Sequence, residues 1–348
     1  MKPPAVLRFL AIISAALLVV CPAYAATLGE GTPLPLNGVF TAPVWSPTGN
    51  GLAVAGDKFQ GLYYTDIFGN LTTISQAPLA GWRFAWSPDG QDIAYRSRED
   101  DGMGMAMMVA GANGESKQVT PYLNDMFPPT WSGDGITYRA GDELVTVDKD
   151  GKVTKVHSLS QGRGLLSRIV NVSASFMVCN ITGATFSAFG SLLSSQASNG
   201  KPGKGVYVDP ESQIWVVDEN GNRKKLIDVE GVPGYATPAK SPTEDNYAVP
   251  GYDGNLYIAN PNGSDPVNLG QGSNPTWSPD GRYLIYDRSM DDGHRLISSD
   301  LWISNFDGSW QFQLTNTPGV ELYPSWSPDG NWIAYVIDGV VYLAPLEM

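Results

Sequence analysis

Histidine and cysteine are nearly missing from this chain of 348 residues, with two of each. A histidine-built metal centre takes about three imidazoles or more, and His157 and His294 fall in different repeats. His157 reads as a solvated side chain in an outer strand, and His294 as a solvated loop residue beside acids. Basic residues are in deficit, 22 Lys and Arg against 35 Asp and Glu, and no basic cluster occurs. That balance excludes nucleic acid and anionic membrane surfaces as partners. No apolar run after Val20 is long enough to span a bilayer as a helix.

The one long apolar run lies at the start. Lys2 and Arg8 precede the stretch Phe9 to Val20, and Ala23-Tyr24-Ala25 supplies small-x-small cleavage chemistry. The sequence therefore predicts a signal peptide over residues 1–25, a mature domain over 26–348, and a periplasmic or secreted location. Val20 is bulkier than the residue a lipidated Cys21 would need before it. Loss of Lys2 and Arg8 with the leader takes the formal charge from −13 to −15. Cys179 is then the sole cysteine, so no intrachain disulfide forms, and its apolar setting reads as that of a small buried hydrophobe.

What the chain has in quantity is turn residues and aromatics: 39 Gly, 26 Pro, 16 Tyr and 10 Trp, the composition of many short strands. "WSPDG" stands at Trp86, Trp277 and Trp326, and diverged copies stand at Trp45, Trp131 and Lys240. Pro presets φ at the first corner, Asp bonds its own backbone, and Gly takes the left-handed exit, so each copy joins two antiparallel strands. A second register runs out of phase, as in "LYYTDIFGNLTTI" and "LWISNFDGSWQFQL", with turn glycines at Gly69, Gly114, Gly151, Gly221, Gly263 and Gly308. Together the two registers make a four-stranded antiparallel unit of the length of a propeller blade.

The fold class is therefore all-β, a single β-propeller of seven blades, with six the alternative. The last unit ends on "VVYLAPLEM" without a fourth strand, and the segment around Leu34 to Leu36 supplies it, closing the ring. The fourth blade is degenerate, with its first hairpin near "IVNVSASFMVCNI" and an insertion over about 182–203.

The string from Trp86 to Tyr95, the "SMDDG" turn, "LWISNFDG" and the "QLT" ending resemble the WD-like propeller repeat of the TolB family. The resemblance covers the whole mature chain and implies an envelope or secreted propeller that works by binding. The α/β domain that precedes the propeller in that family has no counterpart between the expected cleavage site and the first repeat. A similar repeat precedes the catalytic domain of prolyl oligopeptidase-like enzymes, but no G-x-S-x-G elbow is present here.

No catalytic motif emerges. The acid-rich turns Arg98-Glu99-Asp100-Asp101-Gly102 and Asp287-Arg288-Ser289-Met290-Asp291-Asp292-Gly293 read as Asp-Gly turns whose adjacent Arg neutralises the field, and calcium is the one cofactor such oxygens would suit. Met103, Met105 and Met107 share one strand face, as core filling or as an adaptable patch. The repeated Trp is architectural, since one site does not need five copies. The unrepeated residues just before each innermost strand are the candidate site at the channel mouth: Phe40, Trp82, Arg83, Asp125, Phe127, Tyr235, Asn274, Glu321 and Tyr323. Aromatics beside fixed polar groups suit a protein, peptide or glycan. The predicted function is a monomeric, non-catalytic binder of such a partner, basic or neutral given the acidic total. The alternative is a propeller hydrolase or lyase acting on an extracellular saccharide or lactone.

Overall fold

The computed structural model describes residues 26–99, 102–124, 126–133, 135–141, 143–158, 205–209, 211–217, 222–243, 246–261, 265–292 and 295–348. The expected leader, Cys179, Asp125, His294, the hairpin expected near "IVNVSASFMVCNI" and the expected insertion lie outside the described residues.

Each Ser-Pro-Asp-Gly turn is locked by its own serine. Ser87, Ser278 and Ser327 donate from Oγ to Asp89, Asp280 and Asp329 at 2.6, 2.6 and 2.5 Å. The same Oγ atoms accept the main-chain N–H of Asp92, Tyr283 and Trp332 at 2.9 to 3.0 Å. The following glycines, Gly90, Gly281 and Gly330, take φ of +68°, +70° and +77°, a region where an L side chain is strained. The turn thus folds from nearest neighbours and returns the chain antiparallel.

Repetition yields seven antiparallel sheets, in each of which strands that follow in sequence are neighbours. Blade one is Phe40–Trp45, Gly51–Gly56, Leu62–Asp66 and Leu71–Ser75. Blades two, three, five and six are also four-stranded among the described residues. The first strands of adjacent sheets touch: Phe40–Trp45 lies against Glu321–Trp326, which lies against Ser273–Trp277. That contact turns the first strands toward the axis.

Seven hydrophobic clusters fill seven seams, one between each pair of adjacent blades. Leu52 and Val54 pack on Ala334 and Val336 of the seventh blade, while Ala53 between them packs on Trp86 and Ile93 of the second. Both faces of a second strand are therefore interior, and Gly51–Gly56 is buried at every position. The smallest cluster, Leu144 with Tyr207, joins blades three and four. A six-bladed ring would have one seam fewer.

The N-terminal segment closes the circle. Thr27–Leu28 and Thr32–Pro33 both pair antiparallel with Val340–Glu347, and Leu34 N–H donates to Val341 O at 2.8 Å. The fourth strand of the last blade is thus the first piece of the described chain, as expected. The fourth blade differs from expectation. The strand that pairs with Ile214–Val217 is Gly205–Val208, after the insertion rather than before it. Its alternation, with Tyr207 buried, is only four residues long and hidden between Gly and Pro.

The repeated Trp spans seams. Trp86 Nε1 donates to Val44 O (3.2 Å) and Trp277 Nε1 to Ala239 O (2.9 Å), each in the preceding blade. The turns themselves also touch, for Thr243 Oγ1 donates to Asp280 O at 2.9 Å. A methyl group at Gly281 would run into Thr243 Oγ1 and Ser241 Oγ, whereas one at Gly330 would meet only Pro279, 3.8 Å away. Gly330→Ala carries conformational strain alone, about 1–2 kcal/mol. Gly281→Ala adds a steric term of about 1–3 kcal/mol. Thermal unfolding should place Gly281→Ala clearly below Gly330→Ala. Equal midpoints would show that the turns do not bear on each other.

Candidate functional site

The chain direction sorts the loops. Turns after first and third strands lie on one face, and turns after second strands and the links between blades lie on the other. The candidate residues of the sequence fall on this second face.

Their positions relative to the repeated Trp decide their fates. Phe40, Tyr235 and Glu321 stand five residues before the anchor and are all buried, as are Gly81, Met126 and Gly272 at the same place. Phe40 packs edge-on to Tyr63 at 5.5 Å within the seam that closes the ring. Tyr235 lies edge-on to Tyr257, and its hydroxyl accepts Val229 N–H at 2.9 Å. Burial pushes that phenol up. Glu321 is held by the hydroxyls of Thr315 and Thr317, the latter at 2.6 Å. These three are scaffold residues beneath the mouth.

One and two residues later the chain turns outward. Arg83, Asn274 and Tyr323, with Ala42, stand three before the anchor at φ of +55°, +48°, +55° and +46°. In blades one, six and seven the register slips there, between Thr41 and Val44, Ser273 and Thr276, and Leu322 and Ser325. Each slip is a β-bulge that re-aims a side chain at the rim, a device common beside functional sites. Tyr323 meets Phe59 edge-on at 6.1 Å.

A layer of charge lies directly below the bulges; the sequence reasoning placed Asp287 in an acid-rich turn and missed Arg96 and Arg139. Arg96, Arg139 and Asp287 each follow the tyrosine of a second strand, and all three are buried. That position faces a seam, so a charge there after Ala-Tyr, Thr-Tyr or Ile-Tyr is the signal that could have found it. Each reaches the next blade. Arg96 Nη1 donates to Met126 O (2.8 Å), and Arg139 Nη1 to Val208 O (3.0 Å). Asp287 Oδ2 accepts Tyr323 N–H (3.0 Å).

The mouth residues cover these charges. Trp82 lies over the Arg96 guanidinium at 4.7 Å, and Phe127 lies over Arg139 at 4.6 Å, both cation–π contacts. Asn274 Nδ2 donates to Asp287 Oδ2 at 2.8 Å. Burial, and then the like charge of Arg83, pull the Arg96 guanidinium down to about 10, so it still carries its charge at neutral pH. Arg83 is exposed to solvent, yet enough protein surrounds its guanidinium for desolvation to lower it. Of the methionine run, Met105 and Met107 fill the seam between blades two and three, and Met103 is exposed on the mouth face. No group of three His, Cys, Asp or Glu converges among the described residues.

Asp287 is fully enclosed, and its Oδ1 has no hydrogen-bond partner. Burial raises its carboxyl from 3.8 to about 7, against the pull of Asn274 and the Tyr323 N–H. The folded chain therefore holds this proton more tightly than the unfolded one does. The stability so gained is complete below 3.8 and is lost as pH rises through about 7. Relative to Asp287→Asn, the native chain should lose stability across that window with a slope of at most about 1.4 kcal/mol per pH unit. Denaturant melts of both chains across the window check this, and parallel curves would contradict it.

No family model matches the chain, and no curated protein matches it. Among solved structures it is similar to TolB from Acinetobacter baumannii, at 15% identity and a TM-score of 0.45, over 83% of this chain and 57% of that one. The chain thus spans little more than half of that protein's length. It is also similar to a putative TolB from Agrobacterium tumefaciens, at 17% identity and a TM-score of 0.48, over 89% and 91% of the two chains. The β-propeller domain of Cps50 (Swd1) from Myceliophteria thermophila matches at 10% identity and a TM-score of 0.55, over 93% of this chain and 100% of that one. With its seven sheets and seven filled seams, the chain is a β-propeller.

Proposed function

We propose that this propeller is an extracytoplasmic binding protein whose mouth face takes a protein or peptide partner. The observation that carries the reading is the gathering of exposed large apolar side chains on that face. Trp82, Met103, Tyr122, Tyr252, Met290 and Ile297 all lie there, on the face that also carries Arg83, Asn274 and Tyr323 at positive φ. Aromatic and Met side chains next to fixed polar groups are what anchor a partner. The leader over residues 1–25 supports an address outside the cytoplasm.

The test is capture from an envelope extract by three forms of the mature chain. Trp82→Ala with Tyr323→Ala strips the mouth, and Phe68→Ala with Trp332→Ala strips exposed aromatics from the opposite face. The mouth variant should retain at most about a tenth of the captured partner, the loss expected for aromatic anchors. The other variant should capture as the native chain does. Equal capture by all three would end the reading.

A further inference from the structure

Arg96 and Arg139 occupy the same place in adjacent blades under the same kind of aromatic cover, yet their guanidinium groups are not alike. Arg139 donates from Nε to Gly141 O at 2.8 Å as well as from Nη1 to Val208 O. Arg96 donates only from Nη1, to Met126 O, while its Nε and Nη2 are buried with no partner. Nε and Nη2 form the guanidinium edge whose two N–H bonds run parallel, the geometry that grips a carboxylate in a bidentate pair. A buried N–H without an acceptor costs free energy that an arriving acceptor returns.

The surroundings add to this. Arg83 acts on Arg96 as a like charge. Among the described residues no carboxylate forms an ion pair with either guanidinium, in a chain whose formal charge is −13. The residue at φ +55° is Arg83 itself, so the backbone is strained to hold it there. Trp82, the cover over Arg96, is itself 37% exposed, so a partner that reaches it lies within one side chain of the guanidinium. Beside it on blade two, Met103 and Tyr122 are exposed, and the Tyr122 segment pairs with the start of the third strand through Leu123 and Met105. Exposed apolar side chains on the same face as an unpartnered arginine edge fit residues flanking a carboxylate in a peptide better than they fit a sugar acid.

We propose that Arg96 and Arg83, under Trp82, form a binding site for a carboxylate of a peptide partner, seated on the free Nε–Nη2 edge of Arg96. The inference rests on the mouth-face reading above and narrows it: the partner brings an acidic group to this point, although the chain as a whole is acidic.

The mature chain labelled with ¹⁵N-arginine gives a direct readout, because the Nε–H resonance of a guanidinium moves downfield when it donates to a carboxylate. Three probes are titrated: acetyl-Leu-Tyr-Gly-Leu with a free C-terminus, the same peptide amidated, and amidated acetyl-Leu-Tyr-Glu-Leu. Inorganic phosphate and glucuronate form two further arms. The Arg96 resonance should shift saturably with one or both acidic peptides, not with the neutral one, while Arg139 stays in place. Arg83→Gln, and Arg96→Lys with an unchanged melting midpoint, should each weaken that binding about tenfold or more. No saturable shift with either acidic peptide would overturn the proposal. So would a response to phosphate or glucuronate as strong as that to the peptides. If the mouth variant loses its partner while Arg96 stays silent to both acidic peptides, the mouth reading survives and this site does not.

Discussion

A blade with two apolar faces cannot stand alone, and that constraint shapes the rest of the molecule. Side chains alternate along each second strand, so one set faces the preceding blade and the other the following one, as Leu52 and Ala53 do. A row of such sheets would always leave two faces wet and two edges unpaired. Curling the row into a ring removes both faces, provided the last sheet is completed. Here the completing strands come from Thr27–Leu28 and Thr32–Pro33, laid along Val340–Glu347. Seam packing then becomes circular, and each blade is held from both sides.

The ring explains why charge at the seams is informative. Arg96, Arg139 and Asp287 sit where the repeat elsewhere places apolar residues such as Ala55 and Val336. Burying a charge is costly unless it is bonded, and each of the three bonds the next blade's backbone. What differs is how completely each is satisfied. Arg139 is answered by two carbonyls, whereas Arg96 keeps a bare edge and Asp287 a bare oxygen. All three lie under the mouth, and the satisfied Arg139 sets the scale against which Arg96 and Asp287 stand out.

Much of the fold was legible in the sequence because its cause is local. Ser-Pro-Asp-Gly makes the same turn wherever it occurs, and two registers of turns count the strands. The site was harder to read. Counting back from the six anchors picks the segment before each of six first strands, but it could not tell Phe40, Tyr235 and Glu321, which point inward, from Trp82, Arg83, Asn274 and Tyr323, which stand nearer the rim. The bulge between them breaks the alternation on which such reading depends, and nothing in "FTAPVW" or "ELYPSW" announces it. Arg96 was overlooked, and Asp287 was read as part of an acid-rich turn, for a related reason. Charges near the end of a strand read as turn residues until the neighbouring blade is in place.

Circular closure is the central claim, and hydrogen exchange on a chain lacking residues 26–36 tests it most directly. If the ring is the unit of stability, removing those strands should speed exchange along Val340–Glu347 and also across the seam, in Phe40–Trp45 and Gly51–Gly56. The melting midpoint should fall in a single cooperative transition. Faster exchange confined to Val340–Glu347, with the midpoint unchanged, would contradict the account and make the N-terminal strands an ornament on a propeller that stands without them.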